Sequence, residues 1–558
     1  MRPPRYPPTA PARVAARRGR SSELNRASLG TAAGTLLSRV TGLLRLVVVA
    51  SALGGGHLAD AFNLANNTPN IVHDLVLGGI LAATFVPVFV ERLATRREAE
   101  ALESISAVVT VSTVLLLVAT VVFVLAAPGI IDLYTLGSAT AAEHAVAVEL
   151  LRFFAPQLFF YGVISLISAV LATRDRFVVV GIVPVLNNVV GIVVLALFAA
   201  FAHSTSLADL QRHQGLIMLL GVGTTLGVAV QALALVPALL RSGIRLRFAW
   251  RPRDPAIRMI LSLSGWTFGF VLANQLAVFV VLALAFHIGA GAVSAYTYAY
   301  TFFQLPFGVI AVSIVNVVTP QLARAHALER PRVLGERFGT GIRQILALVL
   351  PATVGYLLLA RPIVTLLLQH HAETVTDAHL TASVLALFSL GLPGFCVYFL
   401  AVRAFQSMQD TRTAFVLYVL ENGTNILLAF VLYRPLGVRG LALSYSAAYT
   451  VAAIAAVMVL RERLGTIGGR PVLTASLRSV LLSLVMAFAV ALVSALVGSG
   501  GGVGGWVRLI VEVLAGVLVY LGGAGVAASI TAWQTSRRHR RRERRHSRGL
   551  GVRDSGRH

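Results

Sequence analysis

Residues 27–53 read ASLGTAAGTLLSRVTGLLRLVVVASAL. A bilayer core of ~30 Å takes ~20 apolar residues wound as a helix, and this run is long enough to span it. It is too long for the apolar core of a secretory leader, and no small-residue cleavage site follows, so it is expected to be retained as a first span. Two arginines interrupt it, Arg39 and Arg45. A charge at mid-membrane costs ~2.5–3.5 kcal/mol on insertion scales, so each needs a reason. Six residues at 3.6 per turn put them roughly 120° apart, and two long side chains can still reach one wide cavity from either flank. A guanidinium forks bidentately onto phosphate, which makes an anionic headgroup the functional reading. Snorkelling, or pairing with a carboxylate such as Asp60, is the competing one.

The rest of the chain agrees with a membrane protein. Of 558 residues 57% are hydrophobic and 13% charged, with a mean hydropathy of +0.80. A soluble surface needs about 25% charged residues. Runs like the first recur near Leu81, Leu116, Val163, Val190, Leu226, Leu272, Ile310, Leu350, Leu390, Leu427, Val451, Val485 and Leu518. The expectation is an all-α polytopic protein of about fourteen spans. The one cysteine, Cys396, lies in an apolar run and reads as a small buried hydrophobe. It excludes an intrachain disulfide or a CxxC metal site.

The net charge of +24 does not point to nucleic acid, because of where the charge sits. All 47 basic residues are Arg, seven of them in residues 2–26 and ten in 537–557. With the N-terminus inside, 38 arginines fall on the cytoplasmic side and 4 (Arg212, Arg361, Arg434 and Arg439) on the other. That asymmetry predicts a multi-pass protein of the cytoplasmic membrane with both termini cytoplasmic. The basic tails are expected to contact anionic lipid.

Two segments 235 residues apart echo each other. Thr173-Arg174-Asp175-Arg176 precedes a span containing Asn187, and Met408-Gln409-Asp410-Thr411 precedes one containing Asn422, each Asn twelve residues after its Asp. That interval holds six spans, so the unit is six helices repeated in parallel, the plan of alternating-access transporters. The expected division is a basic N-tail 1–27, an N-lobe 28–240, a basic linker 241–258, a C-lobe 259–462, an appended pair of spans 473–531 and an Arg-rich tail 532–558.

Polar residues inside the apolar runs mark the candidate site. Residues 59–70 read ADAFNLANNTPN, with one Asp, four Asn and a Pro. Pro69 frees a carbonyl near residue 65 and invites a kink or break. A helix so polar is tolerated where it lines a water-filled cavity or packs inside the bundle. Arg39, Arg45, Asp60, Asn66, Asn67, Asn70 and Gln304 form the candidate substrate site. Glu421 and Asn425, four residues apart on one face, are the candidates for a coupling cation, Na+ or H+, against the bland alternative of a buried polar pair. His73 and Asp74 are neighbours in sequence, and such a pair alone does not specify proton handling. Tyr296, Tyr298 and Tyr300 do not share one face, so some of them read as an interfacial aromatic belt. There is no P-loop, HExxH or GxSxG motif, which disfavours a membrane transferase.

Several of these segments resemble one family. Ser38-Arg39-Val40-Thr41-Gly42-Leu43-Leu44-Arg45, Ala59-Asp60-Ala61-Phe62, Pro69-Asn70 and Phe85-Val86-Pro87 are similar to the opening of MurJ/MviN, part of the MOP exporter superfamily. Asp175-Arg176-Phe177, Leu305-Pro306-Phe307-Gly308 and Phe405-Gln406-Ser407 extend the likeness. The resemblance implies fourteen spans, two lobes, two extra C-terminal helices and no enzyme activity. It implies transport of undecaprenyl-pyrophosphate-linked muropeptide (lipid II) to the outer leaflet, with functional weight on Arg39, Arg45 and Asp60. It implies no cofactor beyond a coupling ion or the membrane potential. Where relatives carry further cavity charges this chain has His73, Gly78 and Thr301. The rival functions are another lipid-linked oligosaccharide flippase, or a MATE-like exporter, which should show an acidic, aromatic cavity. A scaffold recruiting cell-wall synthesis proteins is the rival of another class.

Overall fold

The computed structural model describes residues 10–74, 85–95, 97–174, 176–369, 372, 374–497 and 503–551. Among them every regular element is helical. The first part comprises α1 (Ala10–Leu53), α2 (His57–His73), α3 (Val86–Thr95), α4 (Glu98–Thr135), α5 (Ala141–Phe154), α6 (Pro156–Ala172), α7 (Phe177–Ile182), α8 (Pro184–Phe201), α9 (Leu207–Arg212) and α10 (Gln214–Arg241). The second comprises α11 (Pro255–Ile288), α12 (Ala292–Pro306), α13 (Val312–Ala327), α14 (Pro331–Leu368), α15 (Val375–Leu390), α16 (Leu392–Ser407), α17 (Thr411–Leu436) and α18 (Val438–Leu464). The chain continues in α19 (Gly469–Val497) and α20 (Val503–Gly551).

Twelve helical stretches among the described residues are long and apolar enough to cross a membrane, and α15 with α16, bent by 47°, makes one more. These thirteen coincide with thirteen of the fourteen expected centres. The fourteenth, Leu81, falls in 75–84, outside the described residues, as does Gly78. The count of fourteen therefore stands at thirteen on the described residues.

Local chemistry explains where helices begin. Pro156, Pro184, Pro255 and Pro331 sit in first turns, where a missing N–H costs nothing. Thr374 and Asp377 form a reciprocal capping box on α15, and Thr140 and Glu143 another on α5. Pro306 is followed by a π-helical turn at Phe307–Ala311, which offsets α12 from α13. Of the kink or break expected at Pro69, the break does not form. α2 runs through it to His73, with Thr68 Oγ1 donating to the Leu64 carbonyl at 2.7 Å and Asn70 Nδ2 to the Asn66 carbonyl at 3.1 Å.

The helices form two lobes. In the first, α8 packs on α1 and α10, and α2 on α5. In the second, α17 packs on α18 and α11, and α16 on α18. The appended pair docks on α14: Met486, Val490 and Tyr520 are buried there, and the Tyr520 hydroxyl donates to the Ala347 carbonyl. Arg508 Nε pairs with buried Glu512 one turn on along α20 at 2.8 Å, and its Nη2 donates to the Ser494 hydroxyl of α19.

Candidate functional site

The lobes meet firmly at one end, where the turns after α1, α11 and α14 converge. Asp60 on α2 is 3% exposed. It accepts the Gly291 N–H at 2.7 Å, the Ser294 N–H at 2.8 Å and the Ser294 hydroxyl at 2.6 Å. Asn63 Nδ2, one turn on, donates to Ser294 Oγ at 3.1 Å. A carboxylate from one lobe thereby caps the N-terminus of α12 in the other, satisfying amides that α12 leaves open. Gly291 has φ +83°, and a Cβ there would strike the Gly55 carbonyl, so both backbone twist and close approach call for glycine. Tyr298 Oη donates to the Gly54 carbonyl at 3.3 Å and Ala372 N–H to the Ser51 carbonyl at 3.1 Å. We call this the latch end.

Away from the latch a chamber opens between the lobes. One part, about 410 Å³, is lined by Asp74, Phe270, Asn274, Gln275, Tyr300, Phe307, Phe395, Tyr398, Phe399, Tyr418 and Tyr449. A second part, about 320 Å³, shares Asp74, Asn274, Gln275, Tyr300 and Tyr449 and adds Asn67, Asn70, Tyr296, Thr297, Thr301, Glu421, Asn422, Asn425 and Tyr445. Gln275 Nε2 bridges the lobes by donating to Asp74 Oδ2 at 3.1 Å.

The nine residues singled out from sequence separate into groups. Asn67, Asn70, Glu421 and Asn425 come together on the chamber wall. Glu421 is 1% exposed, and its Oε2 accepts Asn422 Nδ2 at 2.6 Å, while Asn425 Oδ1 accepts the Ser444 hydroxyl at 3.1 Å. Asp60 sits in the latch. Asn66 lends its carbonyl to Asn70. Gln304 Nε2 donates to Tyr300 Oη at 2.6 Å and so stands behind the wall.

The two arginines go different ways. Half-buried Arg39 lies against Gly308 in the π-helical turn, so closely that a Cβ there would meet its guanidinium. It crosses from one lobe to the other and has no ion pair among the described residues. Arg45 lies on Gly191 of α8, within its own lobe, where a Cβ would come within 2.8 Å of its Nε. Neither is among the residues that line the two parts of the chamber. The 120° between them accounts for this divergence.

Tyr296 and Tyr300 are not an interfacial belt. They stack with centroids 6.4 Å apart on the chamber wall, while Tyr298 turns to the latch. His73 contacts Asp74 at 3.2 Å and Ser165 at 3.3 Å, and Thr301 donates to the Thr297 carbonyl at 2.9 Å. Sequence reasoning missed Tyr398, Phe399, Tyr445 and Tyr449. Their signal was present as helically spaced aromatics, with Phe395, Tyr398, Phe399 and Val402 on α16 and Tyr445 and Tyr449 on α18.

Two helical lobes joined at one end beside a polar and aromatic chamber have the build of a two-lobe membrane transporter. The chain belongs to the family described as "Lipid II flippase MurJ", whose profile matches residues 49–512. It is 28% identical over 434 residues to a probable lipid II flippase MurJ of Vibrio cholerae, covering 76% of this chain and 81% of that one. It is 30% identical to one from Rhizobium meliloti, over 73% and 75% of the two chains. Among solved structures it is similar to a lipid II flippase MurJ in an inward closed conformation, with TM-score 0.73, 21% identity and coverage of 90% and 99%. An inward-facing MATE-family multidrug resistance transporter shares the fold at TM-score 0.63, 18% identity and coverage of 77% and 94%.

Proposed function

We propose that this chain carries lipid II from the inner to the outer leaflet of the cytoplasmic membrane by alternating access. The latch end is then the outward side, closed in this conformation, and both termini are cytoplasmic. The observation that carries the reading is the Asp60 latch, which ties α2 to the N-terminus of α12 at one end of a polar chamber between the lobes. Rocking the lobes about that chamber would break the Asp60–Ser294 bonds and open the outer side while the polyprenyl tail stays in lipid. Arg39, at the lobe boundary and free of carboxylate partners among the described residues, is assigned to the pyrophosphate. Glu421 with Asn425 is assigned to a coupling cation, Na+ or H+, and the basic tails to anionic lipid.

One observation favours a second reading. The second lobe's wall is both acidic and aromatic, the feature expected of an organic-cation exporter. Depleting the protein separates the two: accumulation of lipid II on the inner leaflet supports the flippase. Unchanged precursor with altered tolerance to organic cations supports the exporter.

A further inference from the structure

The chamber's two halves differ in chemistry. The arginines stay out of it, and the wall supplied by α11, α12, α16, α17 and α18 is a surface of phenol and phenyl rings set among carboxamides. Tyr398 is 3% exposed, and its hydroxyl has no hydrogen-bond partner among the described residues. The Thr297 hydroxyl is buried and unpartnered in the same way, in the neighbouring part of the chamber. A buried hydroxyl without a partner costs about 1–3 kcal/mol, so an occupant that pairs it is favoured.

We propose that this wall is a carbohydrate subsite, holding the saccharide part of the lipid-linked cargo while Arg39 takes the anionic part. The inference rests on the flippase reading and deepens it. Three alternative occupants fit less well. A polyprenyl chain would leave the Tyr398 and Thr297 hydroxyls buried with nothing to bond. A phosphate would face Asp74 and Glu421 with no lining arginine to offset them. An organic cation would use those two carboxylates, but leave the Tyr398 and Thr297 hydroxyls idle. A sugar presents hydroxyls that both donate and accept, matching carboxamides and lone hydroxyls, and apolar ring faces that lie on Tyr and Phe. The chamber parts of about 410 and 320 Å³ fall in the range of about 300–1,000 Å³ usual for small-ligand sites.

The test compares purified protein in nanodiscs against three probes: lipid II, undecaprenyl pyrophosphate without sugar, and tetraphenylphosphonium. The variants are Tyr398→Phe, which deletes one oxygen, and Tyr300→Leu, which deletes a ring lining both parts. Wild type is expected to bind lipid II more tightly than the sugarless lipid. Tyr398→Phe should weaken lipid II by about 3- to 10-fold, one hydrogen bond's worth, and leave the sugarless lipid unchanged. Tyr300→Leu should weaken lipid II further with the same selectivity, and Arg39→Ala should weaken both lipids. Equal wild-type affinity for the two lipids, or equal losses for both in Tyr398→Phe, overturns the subsite and leaves the flippase standing. Binding of tetraphenylphosphonium but of neither lipid overturns both.

Discussion

The Asp60 carboxylate and Ser294 are joined twice across the two lobes, through the Ser294 amide at 2.8 Å and its hydroxyl at 2.6 Å. Each bond to an ionised carboxylate is worth about 1.5–3 kcal/mol and an ordinary one about 0.5–1.5. Under the proposed alternating access, opening this end would require breaking them.

Asp60→Asn cannot accept from all three donors with both oxygens, and Ser294→Ala removes one. Both are expected to loosen the latch. With Cys396→Ala as background, cysteines at Ser51 and Ala372, whose backbones are bonded across the lobes, should cross-link several-fold less in Asp60→Asn. Unchanged cross-linking would mean that Asp60 does not hold the end closed.

Gly308→Ala adds a methyl where the Arg39 guanidinium lies. The end of a flexible side chain can move aside, so stability should change by less than about 1 kcal/mol. Transport should fall because the charge is displaced. Normal expression with reduced transport is the expected result, and wild-type transport would show that the position of Arg39 is immaterial.

Asp410 lies before α17, outside the spans. Burial pushes its carboxyl up, but bonds from the Thr413 side chain and amide and from the Arg463 guanidinium outweigh this and hold it below its usual value. A depressed folded-state value gives stability present above the unfolded value of about 3.9, lost as pH falls through the folded one. Arg463 is about half exposed, so solvent screening limits the contribution to about 1 kcal/mol. Asp410→Asn should lower the thermal midpoint in detergent at pH 7, and the gap should close in strong acid. A gap independent of pH would contradict this.

Glu421→Gln keeps the shape of the side chain and its bond to Asn422 but removes the charge. Sodium or proton dependence of transport should disappear while the protein remains folded. Undiminished ion dependence would leave Glu421 and Asn425 as a structural pair.

Much of this was legible in the chain. Thirteen spans followed from apolar runs, because in lipid a helix must satisfy its own backbone and length alone decides. Asn67, Asn70, Glu421 and Asn425 were legible because a polar side chain inside an apolar run needs a wet or paired place to go. The latch was not. Asp60 and Ser294 are far apart in sequence, and the acceptor's partners are backbone amides, which carry no residue signature. The paths of Arg39 and Arg45 depend on which helix lies opposite each, a tertiary fact. Tyr300 and Tyr449 look like ordinary span aromatics until α12 and α18 are seen to face one chamber. The second span is only partly described, so its expected centre at Leu81 finds no counterpart here.

The most direct measurement is the fraction of lipid II open to a membrane-impermeant lipid II-cleaving enzyme added outside cells that depend on this chain. Depletion should drive that fraction towards zero. Wild type should restore it, Arg39→Ala, expressed and inserted normally, should not, and Arg39→Lys should restore part, because an ammonium keeps the charge but not the fork. An accessible fraction unchanged by depletion, or restored fully by Arg39→Ala, would contradict the account.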